Sequence, residues 1–204
     1  MAVVGPRRRA VLENADLLIA LLREKLPSLT PPALDRATTR EAGVLAPIFG
    51  LAGQPHLLFT VRSPLLSRHR GEISFPGGGR DLDDLTTEQT ALREAEEELG
   101  LSRALVSVLG PLPAVGAGGS DYLILPYVGW LGEGRPQLTP NPAEVAEVFD
   151  APLAALDDPA IMHTELWRRG DQEHLVHFFQ YGAYNIWGAT GRILRSLLDL
   201  LPDD

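Results

Sequence analysis

Three observations predict an α+β fold. Strand-type apolar runs and amphipathic helical runs mix along the chain without the regular repeat of a doubly wound sheet. A helical run at residues 87–99, bounded by start and stop signals, falls between strand candidates, so helices and sheet are interleaved. The 204 residues are 45% hydrophobic and 22% charged, which suits one soluble core and disfavours disorder, collagen or coiled coil. The expected architecture is a single domain over residues 1–204, a mixed β-sheet sandwiched between α-helices.

Each element has its own signal. Leu17, Leu18, Leu21 and Leu22 recur at helical spacing and predict an N-terminal helix over about 11–26. Pro27 ends it, and Pro31-Pro32 begin a connector. Residues 44–49 and 57–62 are β-type runs separated by Gly50, Gly53 and Pro55, a hairpin pattern. Residues 63–86 hold few apolar side chains and a Pro-Gly-Gly-Gly turn, the mark of a long structured loop, and such loops usually serve function. Thr86 with Gln89 three residues on is a capping-box pattern, and Gly100 is a good terminator, which sets a helix at 87–99. Residues 106–109, 122–130 and 173–179 are further strand candidates. Asn141 to Glu144 opens a short segment whose Val145 and Val148 point inward, and about 190–200 is a C-terminal amphipathic helix. Trp130, Trp167 and Trp187 read as core residues, and His163, His174 and His177 as structural or surface residues without zinc-type spacing.

Composition excludes several classes. Lys plus Arg is 18 and Asp plus Glu is 27, a net charge of −9 that repels nucleic acid and anionic membrane. The chain has no cysteine, hence no disulfide framework, thiolate nucleophile or cysteine zinc site, and a cytoplasmic, reducing setting is expected. No apolar run approaches the ~20 residues of a membrane span. The segment after the basic start carries Glu13, Asp16, Arg23, Glu24 and Lys25, unlike a signal peptide. No nucleophile elbow, P-loop or dinucleotide fingerprint occurs.

The chemistry concentrates in Arg93-Glu94-Ala95-Glu96-Glu97-Glu98-Leu99-Gly100. Glu94, Glu97 and Glu98 stand at i, i+3 and i+4 and share one helical face, where like charges repel. A divalent cation would remove that repulsion, and oxygen-only ligands suit Mg²⁺ or Mn²⁺. Arg93, four residues before Glu97, is placed to orient that carboxylate. A merely solvated Glu-rich helix is the bland alternative.

With Phe75-Pro76-Gly77-Gly78-Gly79 upstream and Gly100-Leu101 closing the helix, the stretch resembles the signature of the Nudix hydrolase family. That signature is Gly, five residues, Glu, seven residues, then Arg-Glu-apolar-x-Glu-Glu-x-Gly-apolar. Its second half matches fully. Its first acid does not: counting back from Arg93 puts Leu85 there, whereas counting forward from Gly78 puts Asp84 there with one extra residue before Arg93. The resemblance implies the Nudix fold, hydrolysis of a diphosphate linked to a nucleoside, and metal ligation by Glu94, Glu97 and Glu98. Glu97, Glu72 and Arg93 are the catalytic candidates. Glu72 is read as a further ligand, a general base or a partner of Arg70.

A second pattern runs from Leu57-Leu58-Phe59-Thr60-Val61-Arg62-Ser63 to Arg68-His69-Arg70-Gly71-Glu72-Ile73-Ser74-Phe75-Pro76-Gly77-Gly78. It resembles the motif upstream of the signature in coenzyme A diphosphatases, apart from Ser67 where that motif has Arg. The stretch from Tyr184 to Thr190 resembles the same subfamily's ending. Independently of the name, residues 59–80 carry Arg62, Arg68, Arg70 and Arg80 against Glu72, a net +3 island in a chain of net −9. Arg62, Ser63, Arg68, His69 and Arg70 are the substrate-binding candidates, and the implied partner is a small molecule of the coenzyme A class. A Nudix diphosphatase for ADP-ribose or NADH and a non-catalytic ligand-binding Nudix domain are the alternatives.

Overall fold

A computed structural model describes residues 5–28, 40–116, 122–169 and 172–203. The connector expected at Pro31-Pro32 lies outside them.

The predicted hairpin is β1 (Arg40–Leu51) and β2 (Gln54–Arg62), longer than the apolar runs alone indicated. Its two turn residues, Ala52 and Gly53, have φ of 52° and 79°. That is the handedness a two-residue turn needs to match the strand twist. β1 is the central strand. β2 flanks it antiparallel and β7 (Tyr122–Glu133) parallel, with β5 (Ser107–Pro111) and β6 (Val115–Gly116) antiparallel on β7. β3 (Ile73–Ser74) and β8 (Val145–Pro152) pair with β2, and β4 (Gly77–Gly79) pairs with β1. One parallel pair among antiparallel ones makes the sheet mixed, as expected.

β1 is buried on both faces, and the two-residue period of a strand divides its side chains between two cores. Val44, Ala46 and Ile48 join the larger core with α2 (Ala15–Lys25) and α5 (Gly188–Leu198). Leu45 and Phe49 join the smaller one beneath α3 (Thr87–Leu99), against Ala91, Ala95 and Leu99. The sheet thus lies between helices.

Two sequence expectations are corrected. The single helix over 11–26 is two: α1 (Pro6–Leu12) and α2, which starts after Asn14. Asn14 is extended, and its side-chain oxygen accepts the Leu17 N–H at 3.0 Å, a cap that interrupts the apolar periodicity. Trp167 is not core: it is 45% exposed. It lies on β9 (Met162–Arg169), a strand that the apolar pattern did not reveal. β9 is the edge of a separate three-stranded sheet with β10 (Gln172–Tyr181) and β11 (Tyr184–Ile186). The short α4 (Leu153–Leu156) follows β8. Among the described residues no helix is long and apolar enough to cross a membrane.

Candidate functional site

The site is built on α3. Thr86 Oγ1 accepts the Gln89 N–H at 3.2 Å, and Gly100, with φ of 65°, ends the helix. The other half of the capping box differs from the sequence pattern, because Gln89 Oε1 takes the Leu85 N–H instead. The helix lies directly on β1: a Cβ on Gly43 would sit 2.0 Å from the Thr87 carbonyl oxygen. Glycine at this position is what allows that approach.

The close approach aims the acidic face of α3 at the Gly77–Gly79 strand. Carboxylate oxygens of Glu94, Glu98 and Glu144 all lie within 4.8 Å of one another. Glu98 is 3% exposed and accepts the Gly77 N–H at 3.3 Å. Glu144 arrives from the segment before β8. Asn141 Nδ2 donates to Glu144 Oε1 at 3.0 Å, and the Asn141 N–H donates to the Glu98 carbonyl at 2.8 Å, which ties that segment to the end of α3. Sequence reasoning met Glu144 only as part of the opening of a short segment. Its membership depends on a chain crossing, and no local spacing signals it.

Glu97 is not brought into this cluster. Its side chain is 55% exposed and accepts from Arg93 Nη1 at 3.0 Å. Arg93 is a hub: it also donates to Glu94 at 2.9 Å, to the Gly79 carbonyl at 3.1 Å and to Asp84 Oδ2 at 3.0 Å. The hydrogen bond to Asp84 raises the guanidinium pKa still further, and the same bond holds the Asp84 carboxyl below its ordinary range. Asp84 is buried and also accepts from Thr90 Oγ1 at 2.9 Å and the Asp81 N–H at 3.1 Å. Leu85 is 76% exposed. The inward acid at the signature's first acidic position is therefore Asp84, and its carboxylate holds Arg93.

Burial dominates the electrostatics. Desolvation pushes the Glu98 carboxyl up to about 7, against the pull of Arg62. Glu94 is raised for the same reason, with Arg93 opposing. Three crowded carboxylates, two of them penalised for ionising, form an all-oxygen donor set that a hard divalent cation would relieve. Gly78 leaves the necessary room, since a Cβ there would fall 2.5 Å from the Glu94 carboxylate. The residues present fit Mg²⁺ or Mn²⁺.

The basic island divides. Arg62 Nη1 lies 3.9 Å from Glu98 Oε1, and Arg62 Nε is buried without a hydrogen-bond partner among the described residues. Ser63 is buried, and its hydroxyl donates to the Pro142 carbonyl at 3.1 Å, so the structure does not present it to a ligand. Arg68 is exposed. Arg70 Nε donates to the Leu66 carbonyl, and His69 Nδ1 meets Glu72 Oε2 at 2.9 Å. Glu72 thus has His69, not Arg70, as its ring or guanidinium neighbour. Arg80 is structural, bonded to Glu41 and to the carbonyls of Asp84 and Leu85.

Comparison with known proteins gives a concordant result. The model of the NUDIX domain matches residues 39–178. A protein named "Uncharacterized Nudix hydrolase NudL" from Photorhabdus laumondii is 42% identical over 168 residues, covering 82% of this chain and 88% of its own. A protein of the same name from an Escherichia coli strain is 40% identical over 172 residues, covering 83% of this chain and 88% of its own. Among solved structures, a MutT/nudix family protein from Enterococcus faecalis aligns over 96% of this chain and 73% of its own, with a TM-score of 0.51 at 15% identity, a likeness of fold.

Proposed function

The chain belongs to the Nudix family, and from that premise we propose that it is a divalent-metal-dependent coenzyme A diphosphatase, yielding 4′-phosphopantetheine and adenosine 3′,5′-bisphosphate. The observation that carries the substrate is Arg62. Its guanidinium stands at the carboxylate cluster, with Nη1 3.9 Å from Glu98 Oε1. It also opens the basic segment that resembles the coenzyme A diphosphatase motif. Its terminal nitrogens, one of them 3.9 Å from Glu98, are the donors that a phosphate oxygen approaching the cluster would meet.

In this reading Glu94, Glu98 and Glu144 hold the cation, Mg²⁺ or Mn²⁺, which supplies positive charge where a diphosphate must be split. Arg93 fixes the direction of Glu94 and Glu97. Glu97, exposed and outside the three-carboxylate cluster, takes the proton of the attacking water. Glu72 braces the 68–72 loop through His69 and is the second candidate for the base. Arg62 binds phosphate, with Arg68 and Arg70 supplying attraction from the exposed loop. The partner is a small molecule, not nucleic acid or membrane, and a cytoplasmic setting belongs to the same reading.

The test is product identification by mass spectrometry after incubating the protein with coenzyme A and Mn²⁺ in ¹⁸O-labelled water, with ADP-ribose and NADH as competitors. Both named products, one of them labelled, are expected. Efficient turnover of ADP-ribose or NADH with no turnover of coenzyme A would overturn the substrate.

A further inference from the structure

A cavity of about 370 Å³ lies outside the carboxylate cluster, lined by the loop residues Arg70 and Glu72, by Glu147 of β8, and by Tyr184, Asn185 and Trp187 around β11. Resting on the coenzyme A reading, we propose that this cavity receives the purine base of the substrate, stacked on Tyr184.

Phe75, Phe59, Phe149 and Tyr184 form a column, with ring centroids 4.8, 5.2 and 3.7 Å apart and planes within 23° of parallel. Phe59, Phe75 and Phe149 are buried, and Tyr184 is the member that borders the cavity. One face of Tyr184 is covered by Phe149 at an interplanar angle of 1°. The ring therefore offers its other face or an edge to the cavity. A flat heteroaromatic ring there extends the column by one.

The cavity is bordered by two carboxylates, Glu72 and Glu147, against one guanidinium, Arg70. Its net −1 disfavours a phosphate and suits a neutral group that donates hydrogen bonds, as an exocyclic amine does. Tyr184 Oη donates to Glu147 Oε1 at 2.5 Å, which holds both walls in register. Trp187 is fixed against Phe178, with planes 9° apart.

Glu147 pairs with Val61 in the ladder between β8 and β2, and the next rung joins Val145 to Arg62. Glu147 follows the cluster residue Glu144, which closes the turn before β8, by three positions, so the chain between them spans at most roughly 10 Å. A nucleotide anchored by its diphosphate at the cluster has its far end within reach of the cavity. Arg62 and Arg70 then flank the ribose in between. The C-terminal segment thus does more than close the fold: Thr190 Oγ1 donates to the Ile73 carbonyl at 2.9 Å and pins this wall to the loop that carries Arg70.

The test uses the two product halves as probes. Binding of adenosine 3′,5′-bisphosphate and of 4′-phosphopantetheine is measured by calorimetry for the wild type, Tyr184→Phe, Tyr184→Leu and Ala183→Trp. Tyr184→Phe keeps the ring but loses the bond to Glu147, so it should bind 4′-phosphopantetheine as the wild type does and lose less affinity for adenosine 3′,5′-bisphosphate than Tyr184→Leu. Tyr184→Leu removes the stack, and Ala183→Trp fills the cavity from its rim. Each should weaken adenosine 3′,5′-bisphosphate by about 10-fold and leave 4′-phosphopantetheine unchanged. Should Tyr184→Leu fail to fold, Ala183→Trp decides alone. Unaltered adenosine 3′,5′-bisphosphate binding in the filled variant, or loss of 4′-phosphopantetheine instead, overturns the proposal. If the wild type binds adenosine 3′,5′-bisphosphate in this cavity yet leaves coenzyme A intact, the base site stands and the diphosphatase reading falls.

Discussion

The two walls of the site treat their charges differently. On the helix wall Arg93 is satisfied on every side, by Asp84, Glu94, Glu97 and the Gly79 carbonyl. On the loop wall Arg62 has a buried Nε without a partner among the described residues and an acid no nearer than 3.9 Å, and Arg68 and His69 are exposed. A guanidinium with its donors occupied is scaffold: it holds acids in place and has little left for a ligand. One whose terminal nitrogens meet only an acid 3.9 Å away keeps donors for a group that arrives later. Residue type does not distinguish these cases: both are arginines beside glutamates in space, Arg93 next to Glu94 in the chain and Arg62 near Glu98 only through the fold.

The sharpest way to break this comparison is within the carboxylates themselves. Glu98→Gln removes the buried member and should lower turnover by on the order of 10³ or more. Thermal melting of the metal-free protein should stay level or rise, because a desolvated negative charge is gone. Near-wild-type turnover would remove Glu98 from the metal site. Glu144→Gln should cost about 10²-fold and weaken Mn²⁺ binding in a direct titration, with Asn141 still able to donate to the amide oxygen. Unchanged Mn²⁺ affinity would separate Glu144 from the ion.

On the loop wall, Arg62→Ala should reduce kcat/KM for coenzyme A by about 10- to 100-fold, as for the loss of one charge-assisted contact. Arg68→Ala, at an exposed position, should stay within about 3-fold. Running both variants on coenzyme A and dephospho-coenzyme A locates the contact. A loss confined to coenzyme A assigns Arg62 to the 3′-phosphate, and equal losses assign it to the diphosphate. Similar effects of the two substitutions would dissolve the contrast between buried and exposed arginines.

The smallest effect on chemistry is expected at Asp84, whose work is to hold Arg93. Asp84→Asn should destabilise the fold by roughly 2–4 kcal/mol in urea unfolding at neutral pH. The pH dependence has a definite sign. The Asp84 carboxyl is depressed in the folded protein, so its contribution is complete above the ordinary carboxyl range and fades as pH falls through the folded value. The gap between wild type and Asp84→Asn should therefore be flat from pH 7 to 5 and shrink below about pH 4. A gap that persists in acid would mean that the ion pair is not its source.

The catalytic helix was legible because its determinants are close together in the chain. Thr86, Gln89 and Gly100 set residues 87–99, and the observed helix has those ends. The hairpin of β1 and β2 was legible through its apolar runs and turn glycine. The division of the N-terminal helix was hidden, because Leu12 continues the apolar face of α2 and is buried like it, while the interruption rests on one hydrogen bond of Asn14. β9 was hidden for another reason. An edge strand with solvent on one flank tolerates Glu165 and Arg168 beside Leu166, which blurs the alternation that marks a half-buried strand.

The sequence by itself determined which helix carries the acids and which three share its face, because a period of 3.6 residues fixes neighbours at i+3 and i+4. Only the tertiary structure decided that Glu98 turns into the protein while Glu97 stays outside on Arg93, that Glu144 completes the cluster from another segment, and that Asp84 serves Arg93. It also separated Arg62 from the rest of its basic island. Those outcomes depend on desolvation and on contacts across the sheet, and both are set by what packs above a side chain, which no local spacing encodes.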